Sequence, residues 1–217
     1  MSLLNGSQAL LRPMATAPGR RGRFTQLVPM TPKFYDFVYG LSADENVGFR
    51  WRFAGSIPAR EAFDQLLWNS TLAQFIVMAN HESAPIGHIQ AYNADLNHGY
   101  VYVAQIMRPD VLGSGLGAEA FDLFAGYVFK VFPVRKIYLE VPEYNMPLIS
   151  SFRNTALVQE GRYREHSYYE GRYWDRFVLS LFREDYLTFD RAPSGRIRSP
   201  RIENHDQGEM NVLEESE

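Results

Sequence analysis

Cysteine is absent from the 217-residue chain. Its absence excludes disulfides, thiolate zinc sites, iron–sulfur ligation and a cysteine nucleophile. Histidine is sparse: His81, His88, His98, His166 and His205 show no H-x-x-x-H or H-E-x-x-H spacing, which leaves no basis for a catalytic metal. No apolar run approaches the roughly 20 residues of a membrane span. Lysine is confined to Lys33, Lys130 and Lys136, so arginine carries most of the basic charge. A GC-rich coding sequence accounts for that, and nothing about mechanism follows. The net charge of −3 has the wrong sign for a general nucleic-acid binder. Apolar residues, by contrast, are plentiful. At 46% hydrophobic and 14% aromatic, the chain can bury a sizeable core. A cytoplasmic globular enzyme or a binding module remains.

Residues 1–22 carry arginines among small residues and no acid, a composition shared by transit peptides and flexible N-termini. Residues 190–217 are polar and punctuated by Pro, Gly and Ser, basic first and then acidic, and read as a tail. The folded unit is therefore expected over 23–189. Within it, Phe24–Met30 reads as a strand. Phe34, Phe37, Val38 and Leu41 then mark a helical face after Pro32, and Phe63, Leu66 and Leu67 mark a second after Pro58. Three strand-like runs follow, Ala73–Ala79, Ile86–Tyr92 and Tyr100–Met107, broken by hairpin chemistry at 81–85 and 97–99. A helix from Gly115 to Phe132 is expected to bury Leu116, Ala120, Leu123, Phe124, Tyr127 and Val131. A strand at Lys136–Val141 comes next. Asn145 reads as the N-cap of a helix with Pro147 in its first turn, running to Thr155. Strands near Leu157–His166 and Tyr173–Phe182 close the order. The class is α+β, or mixed α/β.

The sharpest local feature is the turn Leu112-Gly113-Ser114-Gly115-Leu116-Gly117-Ala118 between a strand and a helix. Glycines here permit a tight bend whose amides converge at the positive end of a helix dipole, which suits a phosphate. The turn also satisfies G-x-G-x-x-A, the dinucleotide fingerprint, which keeps an NAD(P)-dependent oxidoreductase as a weaker alternative. Against it, the dinucleotide fold begins with such a unit, whereas three antiparallel strands precede this one. A Walker-A loop is excluded, because no Gly-Lys-Ser/Thr is present.

From Tyr100 to Leu181 the chain resembles the GNAT superfamily of N-acetyltransferases, in particular its RimJ/RimL-like branch. Residues 112–117 follow the family's Q/R-x-x-G-x-G/A turn except at the first position, after an Arg108-Pro109-Asp110 lead-in. Val141-Pro142-Glu143-Tyr144-Asn145 resembles the strand end and asparagine of the branch. Glu160-Gly161-Arg162-Tyr163-Arg164-Glu165-His166 through Asp175 follows its E-G-x-x-R-E-H…D pattern. The resemblance implies a central, mostly antiparallel sheet with a splayed fourth and fifth strand and flanking helices. It implies acetyl-CoA, or another acyl-CoA, as co-substrate, and direct transfer of the acetyl group to a primary amine in a ternary complex. The acceptor is then a protein N-terminus, a polyamine or a small metabolite; neither nucleic acid nor membrane is a partner, and a homodimer is compatible.

The same resemblance implies residue roles. Leu112, Gly113, Ser114, Gly115, Leu116 and Gly117 bind the pyrophosphate, and Asn145 and Phe152 hold the pantetheine side. The backbone amide of Ile106 or Met107 faces the thioester carbonyl. The family's proton donors are missing, since those positions read Phe152 and Leu148. Tyr144, Ser150 and Ser151 are the nearby substitutes, and a catalytically impaired acyl-CoA-binding protein stands as an alternative. Glu45, Asp95 and Glu140 are candidate bases through water, each equally readable as a structural carboxylate. Gln105, standing where some relatives carry an acid, cannot accept a proton at neutral pH. His88, on a strand, reads first as a packed histidine. Arg50-Trp51-Arg52, in the loop between the first two helices, either recognises an acidic or planar acceptor or packs its Trp on the domain.

Overall fold

Short turns and alternating apolar residues organise the centre of the chain. The computed structural model describes residues 20–149 and 156–189. Strand β1 spans Thr25–Pro29; helices α1 (Tyr35–Ala43) and α2 (Arg60–Trp68) follow. Strands β2 (Thr71–Ala79), β3 (Pro85–Asp95) and β4 (Tyr100–Met107) form the expected antiparallel meander. Helix α3 (Leu116–Val131) leads to β5 (Lys136–Pro142) and the one-turn α4 (Met146–Ile149). Strands β6 (Val158–Tyr169) and β7 (Arg172–Phe182) form a hairpin, and α5 covers Arg183–Phe189. The seven strands lie in the order β1-β2-β3-β4-β5-β7-β6. All neighbours are antiparallel except β4 and β5.

That exception shapes the molecule. β4 and β5 pair only from Tyr100 to Tyr102, against Lys136 to Tyr138. Beyond this point both strands continue, to Met107 and Pro142, without pairing. The sheet therefore opens into a V between its fourth and fifth strands, as the resemblance implies.

Each face of the sheet buries its own core, because successive residues of a strand point to opposite sides. On one face Ile89, Val101, Val103 and Ile137 pack with Phe121, Phe124 and Val128 of α3. On the other, Ile76 and Ile106 pack with Val38 and Leu41 of α1, Phe63 and Leu67 of α2, and Trp51. A large side chain buried as fully as Phe63 contributes about 1.5–3 kcal/mol. Edge strand β1 is pinned to α3 by one carboxylate: Glu119 accepts from the amides of Arg23, Phe24 and Thr25 and from the Thr25 hydroxyl.

Several local expectations are corrected. Val131 is 51% exposed, as the last residue of α3, and Leu66 is 38% exposed, because it lies about 100° round α2 from Leu67, which takes the buried face. Asn145 caps no helix with its side chain; it lies in a 3₁₀ turn, Glu143–Asn145, and its amide is engaged elsewhere. Helix α5 was not anticipated, although Glu184 and Asp185 in its first turn suit the positive end of a helix dipole. The E-G-x-x-R-E-H stretch proves architectural. Asp175 accepts from the Glu165 amide at 2.8 Å and pairs with Arg162, holding a bulge where Glu165 takes φ 49°. Expectations about residues 1–19, 150–155 and 190–217 lie outside the described residues.

Candidate active site

The V between β4 and β5 opens into a cleft of about 640 Å³. Gly113, Gly115 and Gly117 line it, with Leu112, Ile106, Met107, Tyr144, Asn145, Arg50, Trp51 and Arg52. Ser114 and Leu116, from the same turn, do not contribute to its wall. Ser114 instead braces the turn, its hydroxyl donating to the Val111 carbonyl at 2.6 Å and accepting from the Leu116 amide at 3.3 Å. Phe152 and Ser151 lie outside the described residues.

The glycine turn is built to leave room. Gly113 and Gly115 adopt φ of 74° and 86°, a region that L side chains enter only at a cost. A Cβ at either position would meet nothing within 4 Å, so open space lies before the backbone. Gly115 caps α3 without a side-chain bond; Ser114 engages the Leu116 amide, while those of Gly117 and Ala118 have no partner among the described residues at the positive end of a 16-residue helix. Such a concavity suits a pyrophosphate.

Gln105 proves to be a brace for this turn. It points to the α3 face, where its amide nitrogen donates to the Gly117 carbonyl at 3.0 Å. It therefore fixes the helix start against β4.

The register selects one amide of the two anticipated. The Arg108 amide donates to the Ile86 carbonyl at 2.8 Å. In an antiparallel ladder the amides of residues 106 and 108 then face β3, and that of Met107 faces the open side of the V. Met107 thus offers a backbone donor inside the cleft.

On the other face of the sheet, Tyr92 pairs with Tyr102 and Tyr102 with Tyr138 across the strands. Alternation puts Glu140 on this same face, and Arg176, opposite Pro142, joins it. Glu140 accepts from Arg176 at 3.2 Å. Of the three candidate carboxylates, Glu140 alone lines the cleft. Glu45 is exposed, and Asp95 accepts from the His98 amide at 2.9 Å to hold a turn. Tyr92, Tyr102 and Arg176 were missed from the sequence, because alternation from Glu140 reaches only Tyr138 and Pro142 on its own strand and the pairing register supplies the rest.

The three loop residues separate by role. Trp51 is 4% exposed and packs edge-on against His88 and Phe53, so it belongs to the core. Arg50 donates to Asn145 Oδ1 at 2.8 Å and to the Tyr144 carbonyl at 3.2 Å. Asn145 returns a bond to the Arg50 carbonyl at 3.0 Å. Arg52 stacks on Tyr92, 4.7 Å from the ring centroid. Burial pushes its pKa down. Tyr144 is half-buried and its pKa is raised, first by burial; its hydroxyl donates to the Phe49 carbonyl at 3.5 Å. A protonated phenol thus stands at the cleft wall. His88 is fully buried, bonded to Gln74 at 2.8 Å, and pushed down to about 3 by desolvation, with Arg52 adding to the effect. It is a packed neutral imidazole.

No family model matches the chain. Spermidine N(1)-acetyltransferase of Escherichia coli K12 is 22% identical over 178 residues, covering 81% of this chain and 95% of that protein. The enzyme of the same name from Vibrio cholerae is 23% identical over 157 residues, 70% of this chain and 88% of that one. The crystal structure of the Vibrio cholerae spermidine N-acetyltransferase in complex with CoA and spermine superposes with a TM-score of 0.68 at 20% identity, over 76% of this chain and 99% of that one. A probable acetyltransferase of the GNAT family from Chromobacterium violaceum gives 0.61 at 19% identity, over 86% and 98%. The sheet order, the opened fourth and fifth strands and the glycine turn before α3 agree with that likeness, and the chain is built on the GNAT N-acetyltransferase fold.

Proposed function

We propose that this protein is an acetyl-CoA-dependent N-acetyltransferase that acylates a primary amine of a small molecule by direct transfer within a ternary complex. One observation carries the reading: the open glycine turn and the V between β4 and β5 share a single cleft. Relatives named as spermidine N-acetyltransferases support an amine acceptor. The Glu160-to-Asp175 pattern supports kinship with the RimJ/RimL-like branch.

Acetyl-CoA supplies an activated acyl thioester. The amides of Gly113, Gly115 and Gly117, which the turn itself does not use, would hold its pyrophosphate, and the Met107 amide would face the carbonyl oxygen on which negative charge develops. Beyond its bonds to Arg50, Asn145 has one amide proton and one lone pair with no partner among the described residues, enough to engage the pantetheine arm. Glu140 takes the proton of the incoming amine through water, and the Tyr144 phenol protonates the departing thiolate.

Two measurements test this. Acetyl-CoA at about a hundred times its Kd should add roughly 2.7 kcal/mol of stability, seen as a raised Tm. Thiol release with a panel of primary amines should then report turnover. A Tm that coenzyme A leaves unmoved sinks the reading; a raised Tm without turnover on any amine reduces it to cofactor binding.

A further inference from the structure

The acceptor half of the cleft carries the wrong charge for a polycation. Its wall includes Arg50, Arg52 and Arg176 but only one acid among the described residues, Glu140. Glu140 balances Arg176 at 3.2 Å through one of its two oxygens, and Arg50 is held by neutral groups alone, Asn145 and the Tyr144 carbonyl, which leave its charge unopposed. Arg52 stays unmatched. Among the described residues it makes no ion pair, and its Nη1 is buried without a hydrogen-bond partner. Desolvation and the neighbouring Tyr92 are what perturb it, and no carboxylate among the described residues pairs with it.

A half-buried guanidinium without an anion is costly, and the cost falls when a ligand brings the anion. Arg52 is also prepared to receive one. Its guanidinium lies over Tyr92 at 4.7 Å and over Phe53 at 5.1 Å, which fixes the fork with little rotamer freedom left to lose. Tyr92 belongs to the sheet face that carries Glu140 and Arg176, opposite α3 and the glycine turn. The unmatched cation therefore stands on the acceptor side rather than with the pyrophosphate.

We infer that the acceptor is a small amine that also bears an oxyanion, a carboxylate or phosphate, which pairs with Arg52 and leaves the amine toward Glu140. The inference rests on the acyltransferase reading and narrows its substrate class. It separates this chain from polyamine acceptors, whose several ammonium groups at neutral pH would face two unopposed positive charges.

Calorimetry on the CoA-saturated full-length protein tests it without requiring turnover. The probes are amino acids of increasing chain length, phosphoethanolamine, ethanolamine and spermidine. The best anionic amine should bind at least tenfold more tightly than either ethanolamine or spermidine; the carboxylate and phosphate arms identify the oxyanion. Arg52→Met keeps the apolar stem and should weaken that amine roughly tenfold to a hundredfold. Arg52→Lys should recover part of the loss, since it keeps the charge without the fork. Arg60→Gln, which removes a cation paired with Asp36 and Asp64 outside the cleft, should change nothing. Tighter binding of spermidine, no binding by any anionic amine, or an Arg52→Met protein that binds them as the parent does overturns the inference alone. A protein that binds no coenzyme A overturns the acyltransferase reading itself.

Discussion

Arg50 and Asn145 hold each other at both ends: the guanidinium donates to Asn145 Oδ1 at 2.8 Å and the Asn145 amide donates to the Arg50 carbonyl at 3.0 Å. The pair joins the loop after α1 to the corner after β5, so the acceptor wall and the expected pantetheine contact are one mechanical unit. Phe49 stacked on Tyr169 at 3.8 Å extends it to the β6–β7 hairpin. Arg50→Met and Asn145→Ala should each lower stability, and the double variant by less than the sum. The coupling should be about 1 kcal/mol by urea denaturation of the cofactor-free protein. Additive losses would mean that the two residues do not act through each other.

Gly115→Val separates strain from ligand space. The positive φ of Gly115 should cost about 1–3 kcal/mol in a β-branched residue. The new side chain would also fill the open space before the turn, so the coenzyme A shift in Tm should disappear. Gly171→Ala, at φ 78° in the β6–β7 turn and away from the cleft, should cost stability while keeping the shift. Loss of the shift in both variants would detach cofactor binding from the glycine turn.

Much of this architecture was legible because the apolar periods are strong. The Tyr100–Met107 strand was read to the residue, and the glycine turn was found by its spacing alone. The roles of Arg50 and Asn145 were not legible, because they depend on contacts across 95 positions in the chain, and that of Trp51 was not, because it depends on His88 on another element. A tryptophan between two arginines reads alike whether it faces solvent or the core. Only the packing of His88 and Phe53 against Trp51 decides it. The E-G-x-x-R-E-H stretch was legible as a pattern, but its work in holding a bulge needed the pairing register.

Glu140→Gln and Gln105→Ala should divide catalysis from bracing. Glu140→Gln removes the one carboxylate that lines the cleft among the described residues and should lower kcat by roughly 10²-fold or more. Gln105→Ala breaks the bond to the Gly117 carbonyl and should raise the KM for acetyl-CoA severalfold, leaving kcat nearly unchanged. A kcat lowered by Gln105→Ala as far as by Glu140→Gln, or kept intact by Glu140→Gln, would reverse the assignment.

His88 makes stability depend on pH in a defined direction. Desolvation holds its folded pKa down at about 3, against an ordinary value of 6.5. Between those values the unfolded chain binds a proton that the folded chain does not, so stability falls as pH drops below about 6.5. One such proton gives a slope of about 1.4 kcal/mol per pH unit. Carboxylates add their own acid losses lower down, so the contrast is drawn from pH 7 to 5. Over that range His88→Gln should show a flatter curve by urea denaturation, since a neutral amide needs no proton withheld. Activity of the folded protein should not follow this limb, because folded His88 stays neutral down to about pH 3. Parallel curves for the two proteins would show that His88 does not carry the acid sensitivity.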